Sequence, residues 1–180
     1  MKKKKILLGM VLSAAFAAVC AVCAWITVPS VVPFTMQTFA VFVTLGLLGG
    51  KLGTAAIALY LLLGAVGIPV FAGFTGGFGR LIGATGGYLV GFLAICVCVW
   101  ISEKISSSFW CLLAAMAVGL ALCYLFGTLW YVTVFAKTKP IGFGSALMTC
   151  VVPFILPDLA KLAVAAIITK RIKPVIKKIV

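Results

Sequence analysis

Asp158 and Lys161 stand three residues apart inside an otherwise apolar run, Pro153-Phe154-Ile155-Leu156-Pro157-Asp158-Leu159-Ala160-Lys161. On a helix that spacing puts a carboxylate and an ammonium on one face, one turn apart. A charge held in hydrocarbon is costly, so an intramembrane ionisable residue with a partner nearby points to function. The carboxylate accepts N–H donors and the ammonium binds a carbonyl or an anion, which makes a polar floor for an apolar pocket. The plainer reading is a neutralised pair that only positions its helix, although an apolar pair would hold a helix at lower cost. Pro157 suits the first turn of a helix, so a helix half is expected to restart there and bring its positive dipole near Asp158.

Two other clusters carry polar groups among aromatics. Phe34-Thr35-Met36-Gln37-Thr38-Phe39 offers three polar side chains at the expected mouth of a span. Small-ligand pockets are mostly apolar with a few placed polar groups. Helix capping by Thr35 explains one hydroxyl but not Gln37. The second cluster is the glycine-rich stretch 64–88, with aromatics at Phe71, Phe74, Phe78 and Tyr88. Glycines let backbone approach a ligand closely. Arg80 is the one arginine besides Arg171. Its planar fork suits a carboxylate, or else the side chain snorkels to water. The stretch lacks the G-x-x-x-x-G-K-[ST] pattern of a phosphate-binding loop.

Other chemistry is poorly supplied. The chain has no histidine and two acids, Glu103 and Asp158. Hydrolysis needs a base near a nucleophile or metal, so an enzyme is not expected. The seven cysteines lie almost wholly in apolar segments and do not form two C-x₂-C pairs. They read as reduced, small apolar residues, with no metal site and no cofactor.

The elements that position these groups are membrane spans. The chain is 65% hydrophobic and 9% charged, with mean hydropathy +1.34, against about 25% charged in soluble domains. An all-α integral membrane protein follows, as a single domain over 1–180. Spans of about 20 apolar residues are expected near 6–26, 36–50, 54–66, 84–101, 110–135 and 144–169, the last interrupted near Pro153 and Pro157. Residues 27–34, with two prolines, read as a loop, and 67–79 as an ordered re-entrant or interfacial loop. The N-terminus resembles a secretory signal, but its uncharged run is long enough to be a retained first span. No internal repeat is evident, which counts against an inverted-repeat transporter.

The net charge of +13 does not indicate nucleic acid, because the charge gathers at the chain ends beside apolar spans. Six spans put both termini on one side. That side receives 11 of the 15 basic residues, the other receives Arg80, Lys137 and Lys139, and Lys161 lies within the membrane. Cytoplasmic termini are therefore expected. The loops 27–34, 67–83 and 136–143 then share the outer face. On the first span, Ala14/Ala18 and Ala17/Ala21 are small-xxx-small pairs that permit close packing, within the chain or against a partner.

These segments together resemble the BioY family, the biotin-specific substrate-binding (S) components of energy-coupling-factor (ECF) transporters. The resemblance rests on Val32-Pro33-Phe34-Thr35-Met36-Gln37-Thr38-Phe39, on the block 60–92, and on the Pro153–Lys161 motif. The chain departs in having Ala84 where the family commonly has proline. The resemblance implies a six-helix S-component fold in a bacterial plasma membrane, capturing biotin from outside. It implies two partners, a membrane T component and a pair of ATPase subunits, with Ala14, Ala17, Ala18 and Ala21 as the T-component docking surface. It implies bodily reorientation in the bilayer to release the vitamin. Asp158 is expected to accept a ureido N–H, and Lys161 or Gln37, beside Thr35, to donate to the ureido oxygen. Arg80 is expected at the carboxylate, with Phe34, Phe74 and Tyr88 walling the ring; the Lys161 and Arg80 roles are interchangeable at this level. The alternative is a self-sufficient biotin transporter without ATPases; a third class, a structural subunit, predicts no vitamin binding.

Overall fold

The first apolar run opens directly from its lysines. In the computed structural model, which describes residues 2–29, 32–135 and 142–179, helix α1 covers Lys2–Trp25. The chain then makes a two-residue strand pair, β1 (Thr27–Val28) and β2 (Phe34–Thr35), antiparallel in the register Thr27↔Thr35. The expected loop is thus pinned at both ends by backbone pairing.

Helix α2 (Gln37–Ala65) is 29 residues long. Straight, it would extend about 44 Å, well past the roughly 30 Å hydrocarbon core. It is not straight. Gly49 has φ +77 and ψ −176, a conformation outside the helix and one that residues with a Cβ rarely adopt. The chain folds back there, so that Gln37 and Tyr60 meet side chain to side chain. Two limbs of α2 thus lie on either side of Gly49, in the region where spans were expected at 36–50 and 54–66. The second limb is secured where it begins. Glu103 Oε2 accepts the Gly50 N–H at 2.8 Å, a carboxylate at the positive end of a helix.

Next come α3 (Phe78–Ile82), α4 (Gly86–Ile105), α5 (Phe109–Phe135), α6 (Phe143–Cys150) and α7 (Val152–Ile179). Of the interruptions expected near Pro153 and Pro157, one is present, at Val151, two residues before Pro153, and the helix runs on through Pro157. Pro153 lies in the first turn of α7, where a missing N–H has no cost. Pro157 lies inside the helix, and Asp158 therefore follows a full turn of helix instead of opening one.

Among the described residues, α1, α2, α4, α5 and α7 are long and apolar enough to cross a membrane. α2 is central, with Phe42, Leu45, Ile57 and Tyr60 fully buried against α1, α4 and α7. The outer helices turn large apolar residues outward, among them Leu7, Val11, Val97, Val118, Leu156 and Leu159. A soluble surface rarely carries contiguous apolar exposure of this kind; lipid accepts it.

The bundle has two unlike ends. At one, Ser13 Oγ donates to Leu52 O, Gly50 meets Glu103, and residues 102–109 face 169–174. Lys51, Lys104 and Lys170 are exposed there. At the other end lie the strand pair, α3, α6 and the glycine-rich loop. That loop is ordered: Phe71 and Thr75 bridge each other, and Trp25 Nε1 donates to Pro69 O at 2.9 Å. Phe71, 2% exposed, lies where a side chain at Gly64 would have to be. Of the expected outer loop 136–143, residues 136–141 with Lys137 and Lys139 lie outside the described residues.

Candidate functional site

Two cavities occupy the two ends. The wider, about 530 Å³, lies at the lysine-rich end between Ser106–Ser108 and Lys170–Pro174, with largely exposed walls. The other, about 110 Å³, lies at the opposite end and holds the buried charges. Convergent buried polar groups mark a specific site better than volume does, so the smaller cavity is the candidate.

Its floor is built from α2, α5 and α7. Asp158 and Lys161 are 3% and 7% exposed. Lys161 Nζ lies 2.7 Å from Asp158 Oδ1. It also donates to Thr35 O at 2.7 Å and to Thr38 Oγ1 at 3.2 Å, and it stands 4.2 Å above the Phe34 ring. An ammonium has three N–H donors, and here all three have partners. Thr38 Oγ1 in turn donates to Asp158 Oδ1 at 2.8 Å, and Tyr124 Oη donates to Oδ2 at 2.6 Å. Breaking a buried charge pair by removing one partner costs about 3–5 kcal/mol, so these extra bonds matter to keeping the couple in place.

The start of α2 forms the second polar group. Thr35 Oγ1 accepts the Gln37 N–H and donates to Gln37 Oε1 at 3.0 Å. Gln37 Nε2 donates to the Tyr60 hydroxyl. One of the two amide N–H donors is thereby used and one is left. The N-cap of α2 is Met36, not Thr35 as expected; the Thr35 hydroxyl instead ties together the backbone and side chain of Gln37 in one small network.

Thr35, Gln37, Arg80, Tyr88, Asp158 and Lys161 all line this cavity. Arg80 is exposed and stands at its mouth. Tyr88 Oη shares a hydrogen bond with Thr128 Oγ1 at 3.1 Å. Phe34 lies behind the lining, against the ammonium and stacked on Phe154 at 6.1 Å. Phe74 is placed differently from expectation. It is 64% exposed and stacks on Trp25 at 4.9 Å, outside the cavity; its φ of +56 swings the ring onto α1. The wall it was expected to supply comes from Phe71, Phe92 and Phe154. The alanines of α1 divide between two faces. Ala17 and Ala21 are buried in the core beside α2, while Ala14 and Ala18 face outward.

Tyr124 and Thr38 are the members of the floor that the sequence reading left out of the site. Thr38 was visible beside Gln37. Tyr124 sits in a 27-residue apolar helix with no polar face to give its direction. Chemically, the floor presents one acceptor position and one donor, within apolar walls, beneath a cationic mouth. Among the described residues no histidine, cysteine or acidic cluster could hold a metal ion, and the seven cysteines are free.

Known proteins match the chain over nearly its whole length. The model of the BioY family matches residues 1–178. The chain is 45% identical over 163 residues to the biotin transporter BioY of Thermotoga maritima, covering 88% of this chain and 91% of that protein. It is 39% identical over 142 residues to a probable biotin transporter BioY of Pyrococcus horikoshii, covering 79% and 81%. Its fold matches the crystal structure of the S-component for biotin from an ECF-type ABC transporter, with TM-score 0.84 over 97% of this chain and 95% of that one, at 23% identity. The chain belongs to the BioY family.

Proposed function

We propose that this chain is the biotin-binding S component of an ECF-type importer: a multi-pass plasma-membrane protein, not an enzyme, that captures the vitamin from outside. The observation that carries the reading is the Asp158–Lys161 couple, buried in a cavity at the end opposite Lys51, Lys104 and Lys170. Biotin presents a ureido ring, an apolar bicycle and a carboxylate tail. An N–H of the ring meets Asp158 Oδ2, which has an acceptor position left. The ureido oxygen meets the remaining N–H of Gln37, or Lys161 after it lets go of Thr38, its longest contact. The bicycle lies among Phe71, Phe92, Tyr88 and Phe154, over Thr35 and the Phe34-backed ammonium, and Arg80 meets the tail.

The whole chain acts as one transmembrane domain. It crosses the bilayer six times, because residues 37–65 reverse at Gly49 and each limb is a short crossing. Both termini are cytoplasmic, since the basic end collects them. Transport uses a T component, docked on the outward alanines Ala14 and Ala18 of α1, and a pair of ATPase subunits. Names borne by the relatives and the likeness of fold support the ligand and the assembly.

Calorimetry of the purified chain with biotin, thiamine, riboflavin and lipoate tests the ligand. Tight binding of biotin alone is expected; equal binding of the four, or none, overturns the reading. Liposomes test the assembly. Uptake is expected only with the T component, the ATPases and ATP. Uphill uptake by this chain alone on a proton gradient would replace the assembly with a self-sufficient transporter.

A further inference from the structure

Tyr124 has the shortest contact on the buried carboxylate, 2.6 Å to Oδ2, and it reaches it from α5, a different element from either charged residue. We propose that Tyr124 is the residue that fixes how many donors a ligand can bring to Asp158. The inference rests on the biotin-binding reading and deepens it.

A carboxylate has about four acceptor positions. Oδ1 receives Lys161 and Thr38, and Oδ2 receives Tyr124. Among the described residues one position is left, on Oδ2. A ligand with a single N–H directed at Asp158 is therefore accommodated without displacing anything. A ligand with a further N–H on the same edge finds no second carboxylate position for it and is left with weaker acceptors or none. Such a donor would be buried poorly paired, and that is the source of discrimination.

The role belongs to the hydroxyl. Phenylalanine keeps the ring and its packing but returns the second Oδ2 position to the ligand. Tyr124 is thus a positioning residue with a consequence for selectivity, and the selectivity is measurable on one protein sample.

The test compares biotin with 2-iminobiotin, in which a guanidinium replaces the urea, so that the ureido oxygen becomes an N–H donor and the ring gains a positive charge. The unaltered chain is expected to prefer biotin by at least about tenfold, because the guanidinium loses the acceptor that Gln37 or Lys161 meets and brings one N–H more than Asp158 takes; the part due to Tyr124 is read from its variant. In Tyr124→Phe the ratio of the two dissociation constants is expected to shrink by about tenfold, with iminobiotin gaining and biotin losing. Tyr131→Phe, on the same helix and outside the cavity, should leave the ratio unmoved. An unchanged ratio in Tyr124→Phe overturns the inference while the biotin reading stands. If that variant does not fold, equal affinity of the unaltered chain for the two ligands overturns it as well. Failure of the unaltered chain to bind biotin removes the reading and this inference together.

Discussion

The indole of Trp25 stacks on the Phe74 ring, centroids 4.9 Å apart and planes 22° from parallel, while its Nε1–H reaches Pro69 O. The last residue of α1 is thereby clamped on the loop whose inner side, at Phe71, Ala72 and Thr75, lines the cavity. Trp25→Phe retains a stack but loses the hydrogen bond, worth about 1 kcal/mol. Biotin should dissociate several-fold faster with little change in thermal stability. Stopped-flow release at an unaltered rate would show that the loop is held by other contacts.

Asp158→Asn keeps the size of the side chain and removes its charge, leaving Lys161 buried without a counter-ion. Affinity for biotin should fall by tenfold or more, since truncating one member of a buried charged pair costs about 2–5 kcal/mol. Asp158→Asn combined with Lys161→Met should melt higher than the single Asn variant, because the stranded ammonium is gone. Calorimetry reads the first effect and thermal unfolding in detergent the second.

Arg80 is exposed, so its attraction for a ligand carboxylate is screened, worth up to about 1 kcal/mol. Arg80→Ala should weaken biotin by no more than roughly fivefold and leave biotin methyl ester untouched. Equal losses for acid and ester would assign the tail to Lys161 instead.

Gly49→Ala places a methyl group 2.6 Å from Glu103 Oε1 at a residue with φ +77. Backbone strain of this kind costs about 1–3 kcal/mol. The variant should unfold at lower temperature yet bind biotin almost normally, because the reversal lies at the end opposite the cavity. A large loss of affinity with unchanged stability would contradict the two-ended arrangement.

The sequence announces the charged couple, because an acid and a lysine one turn apart in an apolar run are conspicuous against hydrocarbon. It announces most of the helices for the same reason, through uncharged length. The reversal within 37–65 was readable from Gly49-Gly50 beside Lys51. What stayed hidden depends on direction. Tyr124 is one polar group on a helix that is apolar all round, so nothing in its neighbours says which way it faces. Phe74 looked like a wall because it lies in an aromatic, glycine-rich stretch, yet a positive φ sends its ring to α1. Of the interruptions expected at two prolines, the one near Pro153 is met by the break at Val151, whereas packing of α7 against α2 carries the helix through Pro157. Four alanines at suggestive spacings do not share a face: those at 17 and 21 turn to α2 and those at 14 and 18 away from it.

Lys161 and Asp158 find all their company at home: a backbone carbonyl, a threonine, a tyrosine and each other. Neither charge of the couple therefore faces acyl chains, and each is held by groups of the bundle itself.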